Sequence, residues 1–255
     1  MDRLIVAKQA AMEAGTFLRK RFHQPLVVDT KRSYDDVVSD ADHGSEKIIL
    51  RRIKESFPED GILSEESGHI KEGTYTWVVD PLDGSINYVN HIPYCAVSIA
   101  IVHEQIPVIG VIYQPFSDEL FWAQTKKGAW FANTRLRVED HPLGEAIISI
   151  DFGREGKKEI FQWLQHLNTC CRYTRVNGSA AVALTELARG WIQGYLQNVL
   201  YPWDAAAGVL IAQEAGATLT NQHGKPWTIA DPYLIAGSSK RTQQKLLREI
   251  RSAKE

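Results

Sequence analysis

Two aspartates three residues apart, Asp80 and Asp83, are the side chains in this sequence best suited to chemistry. The apolar run 77–79 before them is typical of a short buried strand. Pro81 has no N–H with which to continue a central strand, and Gly84 permits a tight turn that brings both carboxylates over one point. Magnesium prefers carboxylate oxygens, and backbone N–H groups at the start of a helix bind phosphate. The stretch therefore indicates phosphoryl chemistry.

Hydrolysis of a phosphate ester needs a nucleophile, relief of charge on the phosphoryl oxygens and help for the leaving alkoxide. Two metal ions about 3.5–4 Å apart can supply all three, and they need carboxylates from several segments. Glu65 and Glu66 follow an apolar strand at 61–64, and Asp204 precedes an apolar helix. Each acidic group has an ordinary alternative. These are a turn with Asx hydrogen bonds for the aspartate pair, a solvated loop for the glutamates and a helix N-cap for Asp204.

The composition is that of an ordinary globular chain of 255 residues, 44% of them hydrophobic and 24% charged. A net charge of −2 gives no basic surface for nucleic acid or an anionic membrane, and no apolar run approaches the roughly 20 residues of a bilayer span. The N-terminus lacks the apolar stretch of a signal peptide. We therefore expect a cytoplasmic protein without nucleic-acid or membrane partners. Its three cysteines, Cys95, Cys170 and Cys171, are expected to be reduced packing residues.

Apolar periodicity predicts a mixture of helices and strands. The expected helices span 2–22, 40–57, 157–167, 180–189, 204–215 and 238–251. The expected strands span 27–31, 61–64, 77–79, 95–102, 108–113, 119–123, 128–131, 146–150, 173–176, 191–196 and 233–236. Polar segments at 34–36 and 67–74 are expected to form a turn and a loop.

A polar stretch at 139–144 is the best boundary between two halves. We expect an N-terminal α+β half, 1–141, that carries the acidic signature. A C-terminal α/β half, 142–255, carries Asp204 and the substrate contacts, and the two form one compact catalytic unit. The antiparallel-looking strands fit an α+β or layered α/β class better than a doubly wound parallel sheet.

The segment Asp80-Pro-Leu-Asp-Gly-Ser-Ile-Asn87 resembles the Asp-Pro-Ile-Asp-Gly-Thr-x-Asn signature of the inositol monophosphatase family. Two other segments fit the same family in the same order, Leu63–Ser67 and Trp203–Gly208. The resemblance implies the αβαβα sandwich of the magnesium-dependent, lithium-sensitive sugar phosphatases, which the fructose-1,6-bisphosphatase-like enzymes share. It also implies a site between the two halves and a homodimer.

The resemblance also implies a set of metal ligands and a cofactor, two or three Mg²⁺ per subunit. Glu65, Asp80 and the backbone carbonyl of Leu82 would hold the first ion. Asp80 would bridge to a second ion, which Asp83 and Asp204 complete. The position of Glu66 fits a supporting role.

Asp42 aligns with the acidic residue that the family places behind the nucleophilic water, and Ser85 stands where the family usually has Thr. Serine keeps the hydroxyl and loses only the methyl group that restricts its rotamer. Together with Glu65, these residues form the implied catalytic set. Asp42 alternatively caps the helix that begins near residue 40. Lys31 is the counterpart of a family lysine near the water channel, or an ordinary solvated lysine.

The family's contacts to the alcohol half of the substrate fall on Gly178-Ser179-Ala180, although Ser179 could equally be only a helix N-cap. Seven residues before Asp204, where inositol-binding members carry Glu, this chain has Gln197, which removes a negative charge. That departure puts inositol as the substrate in question. A substrate with a second phosphate would be better tolerated, and Arg172 and Arg175 are candidates to bind that phosphate. The implied substrate-binding set comprises Asp83, Gly84, Ser85, Gly178, Ser179, Ala180, Gln197 and Asp204.

The resulting hypothesis is a magnesium-dependent phosphomonoesterase that hydrolyses inositol monophosphate, or a similar small sugar or polyol phosphate, by metal-activated water. Asn87-Tyr88 favours the inositol branch, because it resembles the Asn-Phe of that branch. One alternative is a sister phosphatase for fructose bisphosphate, NADP, a phosphonucleotide or histidinol phosphate. A more distant alternative is a regulatory protein that uses this fold to bind a partner.

Overall fold

The computed structural model describes residues 2–30, 37–153 and 156–253. Within these ranges the helices are α1 Arg3–Arg21, α2 Asp40–Ser56, α3 Ser85–Val89, α4 Lys157–Cys170, α5 Ala180–Ala188, α6 Pro202–Ala215 and α7 Lys240–Ser252. The first ten strands are β1 Val28–Thr30, β2 Val37–Ser39, β3 Gly61–Ser64, β4 Gly68–Lys71, β5 Tyr75–Asp83, β6 Ala96–His103, β7 Ile106–Gln114, β8 Glu119–Gln124, β9 Gly128–Phe131 and β10 Thr134–Arg135. The remaining strands are β11 Ile147–Asp151, β12 Tyr173–Arg175, β13 Gly194–Gln197, β14 Thr218–Thr220 and β15 Leu234–Gly237.

Two large sheets organise these strands. The first has eight strands in the order β10-β9-β8-β7-β6-β5-β3-β4, and the second has five in the order β12-β11-β13-β15-β14. Strands β3 and β5 are parallel neighbours, as are β11 and β13, while β15 runs antiparallel to β13. Strands β1 and β2 pair in a small separate hairpin. The carboxyl ends of parallel neighbours lie at one edge of a sheet, which is where ligand sites commonly form.

The helices and sheets stack as five layers. Helices α1 and α2 pack on one face of the large sheet through a core that includes Trp77 and Ile99. Helices α5 and α6 fill the space between the two sheets, in a core that includes Tyr195 and Ala207. Helices α4 and α7 cover the outer face of the small sheet around Trp163. This αβαβα order confirms the expected fold class.

Several element predictions need correction. Segment 67–74 is not simply a loop, because β4 pairs with β3 as a polar edge strand, and edge strands tolerate polar residues on both faces. Strand β5 continues through Pro81 because the pairing with β6 shifts register between Asp80 and Asp83, where a missing N–H is tolerated. Trp191 lies in an exposed turn, and β13 begins only at Gly194. Helix α6 begins at Pro202, two residues before its predicted start.

Three predictions cannot be tested against the fold. The polar turn at 34–36 and Lys31 lie outside the described residues. The last strand of the large sheet ends at Arg135 and the first strand of the small sheet begins at Ile147, but the division into halves at 141 and 142 stays a prediction.

The three cysteines are free thiols, as expected. Within the described ranges, no helix combines the length and the apolar character needed to cross a bilayer.

Candidate active site

Three carboxylates converge at the carboxyl ends of β3 and β5. In the parallel pairing Ser64 lies beside Val79, so Glu65 comes next to Asp80, and the N–H of Glu65 donates to the carbonyl of Val79 at 3.1 Å. Asp204 approaches from α6, and one ligand atom from each of the three acidic residues lies within 4.8 Å of the others. The structure thus brings together three of the four predicted acidic ligands from three segments.

The environment of Asp80 disfavours its charged form. Its side chain is 1% exposed, and its one hydrogen bond from a described residue comes from the N–H of Leu82, at 3.0 Å. Burial raises the pKa of Asp80 well above its usual value, and the nearby charges of Glu65, Asp83 and Asp204 raise it further. A divalent cation among these oxygens would relieve both effects.

Asp83 lies in the same cavity but outside this group of three. Its Oδ2 accepts hydrogen bonds from the hydroxyl of Ser179 and from the N–H of Ala181, the latter at 2.8 Å. Burial raises the pKa of Asp83 to about 7, although these two hydrogen bonds oppose the rise. Asp83 therefore joins the signature to the start of α5, and its role as a metal ligand stays a prediction.

The turn that follows depends on Gly84. Its φ of +90° is in the left-handed region, and a Cβ there would lie 2.9 Å from the carbonyl oxygen of Tyr94. The side chain of Asn87 connects two segments beside this turn. Its Nδ2 donates to the carbonyls of Tyr94 at 2.9 Å and Asn177 at 2.8 Å. The signature thereby contacts the segment before α5 directly.

Asp42 and Ser85 meet as the family resemblance implies. The hydroxyl of Ser85 lies 2.7 Å from Oδ1 of Asp42 and 2.9 Å from the carbonyl oxygen of Leu82. Oδ2 of Asp42 accepts hydrogen bonds from the N–H and the hydroxyl of Ser39, which is the N-cap of α2, so Asp42 contributes to the helix start from the third helical position. Burial raises the pKa of Asp42, and the hydrogen bonds from Ser39 and Ser85 oppose that rise. Capping and a place behind the site are therefore compatible.

One polar face of α2 positions this region, and sequence reasoning missed most of it. Ser45 donates to the carbonyl of Pro81 at 2.7 Å. Glu46, which is 6% exposed, accepts hydrogen bonds from the hydroxyl of Ser64 at 2.5 Å and from the N–H and hydroxyl of Ser67 at 3.0 and 2.6 Å. It therefore holds both ends of the segment that carries Glu65. Their spacing of three and four residues from Asp42 was the available signal, because such residues share one helix face.

Asp204 occupies the third position of α6, and its predicted N-cap position is wrong. Tyr201 is the N-cap, and its N–H donates to Oδ2 of Asp204 at 2.9 Å. The carboxylate still contributes to the helix start, in the manner of a capping box. Trp203 beside it is half-buried.

The opposite wall comes from the small sheet and the start of α5. Gly178, Ser179, Ala180 and Gln197 all line a cavity of about 470 Å³ together with the acidic cluster, Gly84 and Ser85. Ser179 caps α5 by accepting from the N–H of Val182 at 3.3 Å, so its capping role and its contact with Asp83 coexist.

The two arginines proposed for a second phosphate do not line this cavity. Arg175 lies 3.5 Å from the carboxylate of Glu186, and Arg172 is exposed. Two lining residues that carry polar groups, Asp151 and Lys157, were missed, because neither belongs to a recognisable motif.

Comparison with known proteins identifies the family. The sequence profile described as the inositol monophosphatase family matches residues 2–255. The chain belongs to that family. It is 36% identical to the Nus factor SuhB of Vibrio cholerae over 255 residues, which cover 97% of this chain and 95% of the relative. It is 35% identical to the inositol-1-monophosphatase of Bacillus subtilis over 241 residues, which cover 91% of each.

Solved structures of similar proteins agree with this family assignment. The extragenic suppressor protein suhB of Bartonella henselae has a TM-score of 0.92 at 35% identity, with 96% of this chain and 97% of that one covered. Membership of the inositol monophosphatase family supports a phosphatase, and the acidic cluster supplies a place for a metal ion. The relatives differ in name, so similarity alone does not choose the substrate.

Proposed function

We propose that this protein is a magnesium-dependent phosphomonoesterase that hydrolyses inositol monophosphate or a similar small polyol phosphate. The observation that carries the proposal is the convergence of Glu65, Asp80 and Asp204 in a cavity that also contains Ser85 and the start of α5. Carboxylates from three segments, one of them nearly inaccessible to solvent, have little structural reason to face one another without a cation.

The donor set suits a hard divalent ion. Oxygen ligands of this kind favour Mg²⁺ or Mn²⁺ over zinc, which takes nitrogen and sulfur ligands. We propose Glu65, Asp80, Asp204 and the carbonyl of Leu82 as ligands, with Asp83 completing a second position, for two or three ions per subunit. Bound ions of this type neutralise phosphoryl charge, lower the pKa of water and stabilise a leaving alkoxide.

Ser85 and Asp42 are proposed to position the attacking water. The 2.7 Å contact between them fixes the serine hydroxyl beside the acidic cluster. Burial raises the pKa of Asp42, which makes its carboxylate a better proton acceptor than an exposed aspartate. A water held against Ser85 would pass a proton to Asp42 through that hydroxyl as it attacks phosphorus.

The substrate is proposed to lie between the two sheets. The N–H groups of Gly84 and Ser85 would donate to its phosphoryl oxygens. The alcohol half of the substrate would face Gly178, Ser179, Ala180 and Gln197. Asp83 and Asp204 would lie between this alcohol half and the phosphoryl group.

Two alternatives to this proposal are a sister phosphatase and a regulatory protein. A sister phosphatase would share the metal chemistry and differ at the wall formed by the small sheet. A regulatory role is favoured by one observation, the name Nus factor given to a relative that is 36% identical. A cytoplasmic location, a homodimer and inhibition by lithium stay predictions.

Phosphate release over a panel of phosphomonoesters tests the proposal. We expect release from inositol monophosphate or glycerol phosphate with Mg²⁺ and none after chelation. Asp80→Asn should abolish it. A wild-type protein that is folded and loaded with Mg²⁺ but releases no phosphate from any ester would refute the proposal in favour of the regulatory role.

A further inference from the structure

Val199 has a backbone conformation that valine rarely adopts. Its φ is +50°, in the left-handed region, where a β-branched side chain is strained. Residues strained in this way persist only where the surrounding structure fixes them, and they are concentrated at functional sites. Val199 lies between the end of β13 and the start of α6, and it lines the cavity together with Gln197 and Asp204. The strain therefore lies at the candidate active site.

The neighbours of Val199 fix this conformation. The side chain of Asn198, which is fully buried, accepts a hydrogen bond from the N–H of Gly153 at 3.3 Å. On the other side, the N–H of Leu200 donates to the carbonyl of Pro232 at 2.9 Å. A Cβ on Gly153 would lie 2.2 Å from the carbonyl oxygen of Asn198 and 2.7 Å from Cβ of Val199. The absence of a side chain at residue 153 thus leaves the space that the isopropyl group needs.

Aromatic side chains continue this part of the cavity wall. Phe152 adjoins Gly153, and its ring centroid lies 5.1 Å from that of Phe161 on α4. Both phenylalanines line the cavity, and Phe161 is 58% exposed. Exposed apolar groups that continue into a cavity commonly mark a site where a ligand binds. Val199, Phe152 and Phe161 therefore form an apolar wall of the candidate active site.

The apolar wall fits one part of a phosphate ester. Its three side chains carry no hydrogen-bonding group, so a hydroxyl group placed against them would lose its hydrogen bonds to water without replacement. A carbon surface placed there gains free energy by leaving water. A glycine at residue 199 would adopt the same backbone without strain, but it would leave the wall incomplete. The strained valine is thus consistent with a requirement for its side chain.

We infer that Val199 determines substrate specificity, because its isopropyl group contacts a carbon surface on the alcohol half of the substrate. The preferred substrates are phosphate monoesters whose alcohol presents ring or chain carbons, and not hydroxyl groups, on the side of Val199. The inference rests on the proposed phosphatase function and narrows its substrates among the esters of small alcohols.

The test compares two ring phosphates in the presence of Mg²⁺. Inositol 1-phosphate carries a hydroxyl group on each remaining ring carbon, whereas cyclohexyl phosphate has the same ring without hydroxyl groups. Selectivity is the ratio of kcat/KM for cyclohexyl phosphate to kcat/KM for inositol 1-phosphate, measured by phosphate release. Each variant is compared with the wild-type protein, so that the different intrinsic reactivities of the two esters cancel.

Val199→Gly removes the isopropyl group and should lower this ratio about tenfold or more, because a missing carbon group in an apolar site typically changes selectivity by at least that factor. Val199→Ala, which keeps Cβ, should lower the ratio less and in the same direction. The unfolding midpoint of Val199→Gly should equal or exceed that of the wild type, since glycine relieves the backbone strain. A residue that only packs the fold would not combine these two results.

Ala132→Gly is the matched control. Ala132 has a φ of +49° in an exposed turn between β9 and β10, so the same kind of backbone is relieved at a position that does not line the cavity. We expect its selectivity ratio to stay at the wild-type value. A changed ratio in this variant would show that relief of strain alone alters selectivity, and it would refute the role of the Val199 side chain.

The outcomes separate the inference from the function. No phosphate release by the wild-type protein from any ester would refute the proposed function and the inference with it. Release from inositol 1-phosphate but none from cyclohexyl phosphate would refute the inference alone. An unchanged or raised ratio in a folded Val199→Gly protein would also refute it, as would an unfolding midpoint well below that of the wild type, which would indicate a packing role.

Discussion

Two buried aspartates near the same pair of strands, Asp60 and Asp80, have opposite environments. Asp60 precedes β3 and receives a bidentate contact from Arg3, at 2.7 and 2.8 Å, and a hydrogen bond from the indole N–H of Trp77 at 2.8 Å. The Arg3 guanidinium also lies over the ring of Tyr75, 4.0 Å from its centroid. Asp80, at the far end of β5, has among the described residues only the N–H of Leu82 as a donor.

The difference appears in the two pKa values. Burial alone would raise the pKa of Asp60, but the bonds from Arg3 and Trp77 outweigh it and hold the pKa below its usual value. Burial raises the pKa of Asp80, and three neighbouring carboxylates add to it. A buried carboxylate that is paired with a cation contributes to stability. A buried acid among other acids destabilises the fold and is a candidate functional group. Strand β5 contributes to both environments, because its Trp77 donates to Asp60 and its Asp80 lies among the other carboxylates.

Exchanging Asp for Asn at the two positions should separate activity from stability, and it is the largest effect we expect. Asp80→Asn should lower kcat at least about 1,000-fold, roughly 4 kcal/mol in barrier height, because the proposed central metal ligand is lost. Without metal its unfolding midpoint should be equal to or above that of the wild type, since repulsion is relieved. Phosphate release and thermal unfolding in a chelator measure the two.

Asp60→Asn is the matched control. It should lower the free energy of unfolding by about 2 kcal/mol, less than for a fully buried ion pair because Arg3 is 28% exposed. Its kcat at a temperature where it is folded should stay near the wild-type value. An Asp60→Asn protein that is inactive while folded would contradict the separation.

Glu46 lies between these cases, because it is a buried acid held by hydroxyl and N–H groups. Glu46→Ala should weaken Mg²⁺ affinity about 10–100-fold, as loss of a group that orients a ligand typically does, because the segment bearing Glu65 loses its anchor at Ser64 and Ser67. Titration of activity with Mg²⁺ measures this. Saturating Mg²⁺ should restore much of kcat, and a loss of kcat that excess metal does not rescue would indicate a different role.

The contrast between Glu46 and Asp80 shows how far the sequence could lead. Spacing and turn chemistry were enough to select Asp80 and Asp83, because local geometry depends on adjacent residues. Glu46 shares a helix face with Asp42, yet of that polar face only Asp42 entered the prediction, through the family resemblance. The layered fold followed from the family resemblance, and the polar edge strand β4 was missed because its composition is that of a loop.

Asp151 shows what spacing could not supply. Its proximity to Gln197 results from pairing between β11 and β13, whose partners are 46 residues apart. Its contact with Gly178 requires the loop before α5 to return to the same sheet edge. Long-range pairing of this kind has no local signature, so the wall proposed to face the alcohol half of the substrate was only partly predictable.

Removal of metal should reverse the pH dependence expected for an ordinary protein. In the folded protein burial raises the pKa of Asp83 to about 7, whereas an unfolded aspartate titrates near 4. Between those values the folded state binds more protons than the unfolded state, so the stability of the metal-free protein should fall as pH rises from about 4 to 7. Asp60, with its lowered pKa, contributes the opposite slope only at lower pH.

Thermal unfolding in chelator and in Mg²⁺, from pH 5 to 8, measures this effect. We expect the gain from Mg²⁺ to be larger at pH 8 than at pH 5 by ~5 °C, roughly 2 kcal/mol for a chain of this size, because ion binding needs deprotonated carboxylates. A metal-free protein that becomes more stable across this range would contradict the assignment of the buried acids.

The smallest effect is expected for Ser85→Thr, at the contact between Ser85 and Asp42. Asp42 combines features of both aspartates in the comparison. Like Asp60 it is held by hydrogen bonds, from Ser39 and Ser85, but like Asp80 it has a raised pKa because it is buried. Ser85→Thr keeps the hydroxyl that contacts Asp42, so kcat should change by less than about threefold, below ~1 kcal/mol. Ser85→Ala removes that hydroxyl and should lower kcat about 100-fold, within the range for loss of general-base assistance, with Mg²⁺ affinity nearly unchanged. Steady-state kinetics at saturating Mg²⁺ compare the two, and equal activities for the threonine and alanine variants would show that the hydroxyl only caps the turn at Leu82.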